Sequence, residues 1–217
     1  MKTHFDDHLN IRKFMFERRP KVVVECGAGK GECTQLLSHM MTNYPFELHV
    51  ISDKRIEGLD DRIQWHVGLS YEELPKFEDD SIDMCIIDTD HNYWTLKQEL
   101  EAVDKKLKEG SILMLHDVDE FYHNTGMAMS YWNDSPYPKD KIMEYALCGG
   151  LGDCIIEFLS RFREKYKLIK WVSESYGACA IEKKLIDQIA IITPGDNPAF
   201  AKPAINDQDP YDGVLIS

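Results

Sequence analysis

The strongest structural signal in this chain of 217 residues is Val22-Val23-Val24-Glu25-Cys26-Gly27-Ala28-Gly29-Lys30-Gly31. The β-branched residues predict a buried strand, and the glycines that follow allow the backbone to turn sharply beneath a ligand. An acidic residue, Glu25, lies near the end of this strand. In the usual dinucleotide-binding fingerprint the third glycine falls one residue later than Gly31, so this stretch is a different kind of glycine turn.

The composition predicts one globular domain of the α/β class with a full core. The net charge of -13 disfavours nucleic acid as a partner, because a polyanion gains nothing from counterion release at a phosphate backbone. No apolar run approaches the roughly 18 residues of a membrane span, and the N-terminus lacks the apolar region of a signal peptide. The six cysteines form no C-x-x-C pair and are interpreted as free thiols. These features predict a cytoplasmic protein.

Strand and helix signals alternate along the chain, which predicts a mostly parallel sheet covered by helices on both faces. We expect a Rossmann-like sheet of seven strands whose last two form a closing antiparallel hairpin, because only five residues separate them. The expected strands lie near 21–26, 48–51, 63–67, 84–88, 112–116, 167–172 and 178–182. The expected helices lie near 1–19, 30–43, 92–108, where Gly110 supplies the stop, and 154–165, where Asp153 caps the start.

Two segments interrupt this pattern. Residues 118–152 are rich in aromatic and polar side chains, which would suit either the binding of a polyhydroxylated acceptor or simple packing of a lid on the core. Four of the nine prolines lie after Lys184. We therefore predict a domain at residues 1–184 and a Pro/Asp-rich C-terminal arm at 185–217, poorly ordered or covering a neighbouring subunit of a homo-oligomer.

Chemically active side chains follow the fourth and fifth expected strands. Asp88 and Asp117 leave the carboxyl ends of these neighbouring strands, so both can face the same small volume. Paired carboxylates with a nearby imidazole suit Mg²⁺ or Mn²⁺, and such a cation lowers the pKa of a bound hydroxyl. His91 would be the base, since its unperturbed pKa is near neutrality. Alternatively, Asp90 could merely cap the next helix, and His116 could be a strand-end polar group.

The glycine turn resembles motif I of class I S-adenosylmethionine-dependent methyltransferases. The runs Ile87-Asp88-Thr89-Asp90-His91-Asn92-Tyr93 and Leu115-His116-Asp117 are similar to the methyltransferase 24 family, which includes macrocin-type sugar O-methyltransferases, and the likeness covers roughly residues 20–183. It implies catalytic roles for His91 and Asp88 and metal ligands at Asp88, His116 and Asp117. In the same comparison Asp90 is an alternative to His116 as the additional ligand. Relatives offer two carboxylates or an Asp-Asn pair where this chain has His116-Asp117, which leaves the identity of the ion open.

The resemblance also implies a set of S-adenosylmethionine contacts. The expected contacts are Glu25, Gly27, Ala28, Gly29, Gly31, Asp53, Leu69, Ser70 and Asp88. Asp53 would bind the ribose hydroxyls, although it could be a surface turn residue, and Ser70 would lie near the adenine, although it could be a helix N-cap.

The function expected from these features is transfer of a methyl group to a hydroxyl of a sugar, a glycan or another small acceptor. Two alternatives stay open at this point. One is a metal-independent methyltransferase that acts on another small molecule or on nucleic acid. The other is a nucleotide-binding domain that keeps the fold without catalysis.

Overall fold

The computed structural model describes residues 11–119, 150–173 and 177–185, which contain one sheet of seven strands. The strands are β1 (Val22–Cys26), β2 (Glu47–Ser52), β3 (Gln64–Val67), β4 (Ile82–Ile87), β5 (Leu107–His116), β6 (Tyr166–Val172) and β7 (Ala178–Lys183). Their order across the sheet is β3-β2-β1-β4-β5-β7-β6. The neighbours from β3 to β5 pair in parallel, whereas β7 is antiparallel to both β5 and β6. The predicted fold class, a Rossmann-like sheet with a closing hairpin, is confirmed.

Helices cover both faces of the sheet. They are α1 (Ile11–Arg18), α2 (Glu32–Met40), the short α3 (Ser70–Glu73), α4 (Tyr93–Asp104) and α5 (Leu151–Arg161). Side chains of a strand point alternately to opposite faces, so β1 contributes to two cores. Val23 packs in the cluster that contains Leu37 of α2, and Val24 packs in the cluster that contains Leu100 of α4. These β-branched side chains explain why the segment forms a buried central strand.

The boundary between α4 and β5 differs from the sequence prediction. The expected helix at 92–108 ends at Asp104, and β5 begins at Leu107, which pairs with Ile82 of β4. Gly110 does not stop the helix but lies inside β5 with φ 75°, where the β4–β5 register shifts. Leu107 falls at helical spacing from Val103, and this coincidence made the helix look one turn longer than it is.

The start of α5 also differs from the prediction. The helix begins at Leu151 rather than near residue 154, so Asp153 lies within its first turn. There its Oδ2 accepts the N–H of the N-cap residue Gly150 at 2.8 Å, so Asp153 contributes to the cap from the third helical position instead of the N-cap position itself.

Three predictions fall on residues outside the described ranges. These are the helix before residue 11, most of the segment 118–152, and the C-terminal arm beyond Leu185. Among the described helices, none has both the length and the apolar composition needed to span a lipid bilayer.

The order of the strands predicts a crevice at the carboxyl ends of the central strands. From β1 the chain proceeds outward to β2 and β3, then returns to the other side of β1 as β4 and continues to β5. The direction reverses between β1 and β4, and ligands of open α/β sheets bind at the carboxyl ends of the strands next to such a reversal.

Candidate active site

The glycine turn joins β1 to α2 directly above this reversal. Gly27 follows the last residue of β1 with φ 88°, and its N–H donates to the carbonyl of Ile51 at 2.9 Å. A Cβ at position 27 would lie 1.9 Å from the carbonyl oxygen of Asp88, so only glycine allows the ends of β1 and β4 to approach this closely. Gly29 also has a positive φ of 52°, but among the described residues no atom lies within 4 Å of its Cβ position.

A cavity of about 310 Å³ opens beside the turn. It is lined by six of the predicted cofactor contacts, Gly27, Gly29, Asp53, Leu69, Ser70 and Asp88, together with Ile51, Ser52, Gly68, Thr89 and Asp90. The described lining holds three aspartates and neither lysine nor arginine. Its charge therefore favours a cationic ligand over one that carries phosphate groups.

Three predicted contacts lie outside this lining and support the turn instead. Ala28 is buried in the core on the α2 side of the sheet. Gly31 directly precedes α2, and a Cβ there would meet the side chain of Ile56 at 3.1 Å. Glu25 is only 1% exposed on β1.

Glu25 is a buried acid directly behind the glycine turn. Burial raises the pKa of Glu25 to about 8, while the neighbouring polar groups of Thr34 and Cys33 oppose the rise. Much of the Glu25 population is thus a neutral carboxylic acid at pH 7 in the ligand-free protein.

Two carboxylates and two imidazoles meet at the edge of the cavity, where β4 and β5 end. Nε2 of His91 lies 2.9 Å from Oδ2 of Asp117 and 3.7 Å from Oδ1 of Asp88. Nδ1 of His116 lies 3.2 Å from Oδ1 of Asp117 and 3.5 Å from Oδ1 of Asp88. The structure therefore brings together all four residues that the sequence had selected for chemistry.

These neighbours shift one another's protonation strongly. Burial by itself would lower the pKa of His91, but its ionic contacts with the carboxylates of Asp117 and Asp88 outweigh burial and raise the pKa to about 11. The pKa of His116 rises to about 9 for the same reasons. Burial would raise the pKa of Asp117, yet the adjacent imidazoles of His116 and His91 hold that pKa well below the usual range. His91 therefore holds a proton at pH 7 in the cation-free site, and its role as the base stays a prediction for the site with a cation bound.

The donor set fits a divalent cation. One ligand atom from each of Asp88, His116 and Asp117 lies within 4.8 Å of the other two. A bound cation would replace the protons that now neutralise the two carboxylates. Because an imidazole joins the oxygen ligands, the set suits Mn²⁺ and similar transition metals at least as well as Mg²⁺. Asp117 also has φ 53°, a left-handed conformation that typically costs about 1–2 kcal/mol outside glycine and often marks functional positions.

Asp90 and Asn92 settle one alternative raised by the sequence. The N-cap of α4 is Asn92, whose side-chain oxygen accepts the N–H of Thr95 at 2.8 Å. Asp90 therefore does not cap this helix. Its Oδ2 accepts from the amide of Asn92 at 2.8 Å, and the residue lines the cavity.

Sequence reasoning missed Glu99, which contacts two residues of the cavity lining. Its carboxyl group is completely buried and accepts hydrogen bonds from the hydroxyls of Ser70 and Thr89. Ser70 does not act as an N-cap, since Leu69 holds that position and Ser70 is the first residue of α3. Its position in the sequence could have revealed that it is buried. Glu99 follows Leu96 by three residues and therefore lies on the same apolar face of the helix as Leu100 and Val103.

Asp119 was missed as well. Its Oδ1 accepts the indole N–H of Trp171 in β6 at 2.8 Å, and a Cβ at Gly177 would lie 2.8 Å from its carboxyl carbon. The loop that carries Asp117 is thus fastened to the β6–β7 hairpin. No local sequence pattern announces a contact between residues this far apart.

Comparison with known proteins agrees with this geometry. Residues 24–118, which include the glycine turn, Asp88, His91 and Asp117, match the methyltransferase 24 family model, described as a methyltransferase domain. No curated protein sequence matches the chain.

Solved structures with the same fold include three methyltransferases. A Staphylococcus aureus protein of proposed caffeoyl-CoA O-methyltransferase activity is 14% identical, with a TM-score of 0.58 and 84% of each chain covered. The O-methyltransferase TomG of Streptomyces achromogenes, bound to S-adenosylmethionine, is 14% identical, with a TM-score of 0.53, and covers 81% of this chain and 78% of its own.

The third is MycE of the mycinamycin biosynthetic pathway, in complex with Mg, S-adenosylhomocysteine and mycinamycin VI. It is 18% identical with a TM-score of 0.55, and the match covers 88% of this chain but 51% of MycE. At these identities the likeness establishes the fold. Residues 24–118 match the methyltransferase 24 family model, and the described residues therefore have the Rossmann-like fold of solved methyltransferases.

Proposed function

We propose that the protein transfers a methyl group from S-adenosylmethionine to a hydroxyl of a sugar, a glycan or another small hydroxylated acceptor, with help from Mg²⁺ or Mn²⁺. One observation carries the proposal. Asp88 lines the cofactor cavity and also contacts the imidazoles of His91 and His116, so the candidate cation site adjoins the place where the methyl group would be presented.

The cavity supports the choice of cofactor. Its aspartates and its lack of cationic side chains among the described residues suit a positively charged sulfonium better than a dinucleotide. Asp53, directly after β2, would accept from the two ribose hydroxyls. The open space at Gly29 would receive the amino-acid part of the ligand close to backbone N–H groups.

The proposed chemistry is an in-line displacement. Asp88, His116 and Asp117 would hold the cation, which when bound lowers the pKa of an acceptor hydroxyl. With both carboxylates neutralised, His91 would lose the charge that raises its pKa and could accept the hydroxyl proton. The acceptor oxygen then bonds to the methyl carbon, and the electrons of the broken carbon–sulfur bond remain on sulfur. Positioning of acceptor and donor supplies much of the rate.

Two observations support a small hydroxylated acceptor. MycE binds Mg and mycinamycin VI on the same fold, and the net charge of -13 disfavours nucleic acid. The proposal also includes a cytoplasmic location, because all five described cysteines are free thiols, as expected in a reducing compartment.

Methyl transfer from labelled S-adenosylmethionine to a panel of glycosides, deoxysugar-bearing molecules and phenols tests the proposal, with Mg²⁺, Mn²⁺ or EDTA present. We expect transfer to a hydroxylated acceptor that EDTA abolishes. His91→Ala should lower turnover roughly 10²–10⁴-fold, the usual contribution of a positioned base, while binding of S-adenosylhomocysteine changes little. His39→Ala, at an exposed position of α2, is the matched control.

Each part of the proposal has its own contrary result. Full activity in EDTA would show that no cation is needed for transfer. Full activity of His91→Ala would show that His91 is not the base. If calorimetry detects no binding of S-adenosylhomocysteine, the chain is a non-catalytic domain with a methyltransferase fold.

A further inference from the structure

We propose that Glu99 is a positioning residue that holds the two walls of the cofactor cavity at a fixed separation and orients the loop carrying Asp88. The proposal rests on the proposed function, because the cavity is taken as the cofactor site. It assigns a role to a helix residue that lies outside the glycine turn and outside the cluster at the ends of β4 and β5.

The contacts of Glu99 reach both walls of the cavity. Oε1 of Glu99 accepts from the hydroxyl of Ser70, at the start of α3, and from Oγ1 of Thr89 at 2.6 Å, directly after Asp88. Ser70 and Thr89 both line the cavity, one on the loop after β3 and the other on the loop after β4. A single carboxylate oxygen therefore joins two loops that no strand pairing connects, since β3 and β4 are separated by β2 and β1.

Core packing alone does not account for an acid at this position. Glu99 is 0% exposed and lies on the buried stripe of α4, where an apolar side chain would avoid the cost of burying a carboxyl group. Burial raises the pKa of Glu99 to about 7, and the hydrogen bonds from Ser70 and Thr89 oppose the rise. Within the described residues its Oε2 has no hydrogen-bond partner, so the group is retained for the two bonds made by Oε1.

Helix α4 holds Glu99 in a fixed position. Asn92 caps the start of α4, and Leu96 and Leu100 pack in the core on either side of Glu99. A shift of either loop would have to break a buried hydrogen bond to this helix. Because Ser70 directs its hydroxyl proton to Glu99, that proton is unavailable to a ligand, which makes Ser70 a wall residue more than a hydrogen-bond donor to adenine.

Four substitutions test the proposal: Ser70→Ala, Thr89→Val, Glu99→Met, which removes the acceptor oxygen at similar side-chain length, and the control Thr95→Val. Thr95 is also a buried threonine of α4, but its hydroxyl has no hydrogen-bond partner in the described chain and does not line the cavity. The measurements are the Kd of S-adenosylhomocysteine by calorimetry and the Tm of the same samples. We expect the first three variants to raise the Kd by roughly tenfold, the usual effect of losing a buried hydrogen bond, and Thr95→Val to leave it unchanged.

Two further variants separate positioning from mere stability. Thr89→Ser keeps the hydroxyl and should restore the affinity lost in Thr89→Val. The double variant Thr89→Val/Glu99→Met should bind no more weakly than Glu99→Met, because Glu99→Met already removes the contact with Thr89. An unchanged Kd in Ser70→Ala, Thr89→Val and Glu99→Met, with only the Tm reduced, would overturn the role of Glu99. A wild-type protein that does not bind S-adenosylhomocysteine would instead overturn the proposed function itself.

Discussion

Buried acids distinguish this site at the scale of single residues. Glu25 lies behind the glycine turn and Glu99 beneath the opposite wall, and both are essentially inaccessible to solvent. An ionised carboxylate in such surroundings is destabilising unless a positive group compensates it. Ionisation of each of these two carboxyl groups should therefore lower the stability of the ligand-free protein as the pH rises.

The penalty at Glu25 can be measured. Its pKa is raised from 4.5 to about 8, so the folded state binds this proton more tightly than the unfolded state does. The cost is absent below about pH 4.5, grows as the pH rises, and is complete above about pH 8. We expect Glu25→Gln to have a higher Tm than the wild type, with a difference that widens from pH 5 to pH 8 and exceeds about 2 °C, or roughly 1 kcal/mol.

Thermal unfolding without cofactor, from pH 5 to pH 9, provides the measurement. Glu32→Gln, at the exposed start of α2, is the matched control. A difference between Glu25→Gln and the wild type that stays constant over this range would contradict the assignment.

Residue types revealed part of the site in advance. Asp88, His91, His116 and Asp117 could be selected because parallel strand ends converge, which is a property of the sheet. Glu99 could not be selected with a role, because its partners lie 29 and 10 residues away and their approach depends on tertiary packing. The left-handed backbone of Asp117 has no sequence signature, since aspartate adopts it only where the surrounding structure demands it.

At the scale of elements, the strands were predicted better than the ends of the helices. Runs such as Val22-Val23-Val24 and Cys85-Ile86-Ile87 have the β-branched, apolar character of buried parallel strands. The predicted end of α4 was wrong because Leu107 fits the spacing of a helix as well as it fits a strand. The β4–β5 pairing, which decides between the two, cannot be seen from local sequence.

The glycine turn offers a prediction at this scale. Gly27→Ala would place a Cβ 1.9 Å from the Asp88 carbonyl and separate β1 from β4, whereas Gly29→Ala meets no atom within 4 Å. We expect Gly27→Ala to lower the free energy of unfolding by roughly 3 kcal/mol or more, and Gly29→Ala by about 1 kcal/mol, the cost of the left-handed backbone alone. Urea unfolding measures both values.

Gly58→Ala is the control for backbone strain outside the site. Gly58 has φ 80° and an equally open surrounding. It should resemble Gly29→Ala in stability but leave binding of S-adenosylhomocysteine intact, while Gly29→Ala weakens it. Equal destabilisation by Gly27→Ala and Gly29→Ala would mean that the close approach to β4 carries no cost.

The charge of the whole molecule sets the background for any cation site. With a net charge of -13, the protein should gain some stability from any salt, because screening reduces self-repulsion. A specific cation site adds a further increase in the free energy of unfolding, which depends on the cation concentration and on the residues that bind the cation. At a cation concentration of 100 times the Kd, this increase is about 2.7 kcal/mol.

We expect Mg²⁺ or Mn²⁺ to raise the Tm above the value in NaCl of equal ionic strength, and we expect Asp117→Asn to lose this excess. Asp61→Asn removes one acid at a fully exposed position and should retain it. Thermal melts over a range of cation concentrations separate the two effects. If the wild type in Mg²⁺ and in Mn²⁺ matches the NaCl curve, Asp88, His116 and Asp117 bind neither cation.

The place of β7 has a practical consequence for truncated versions of the protein. The family match ends at residue 118, yet β7, at residues 178–183, pairs with Ile112–His116 of β5. A fragment cut after residue 118 would leave that edge of β5 bare, with the apolar Leu113 and Leu115 beside unpaired backbone groups. Such edges recruit other chains. The shortest fragment that can be expected to stay monodisperse must therefore extend through Lys183, far beyond the matched stretch.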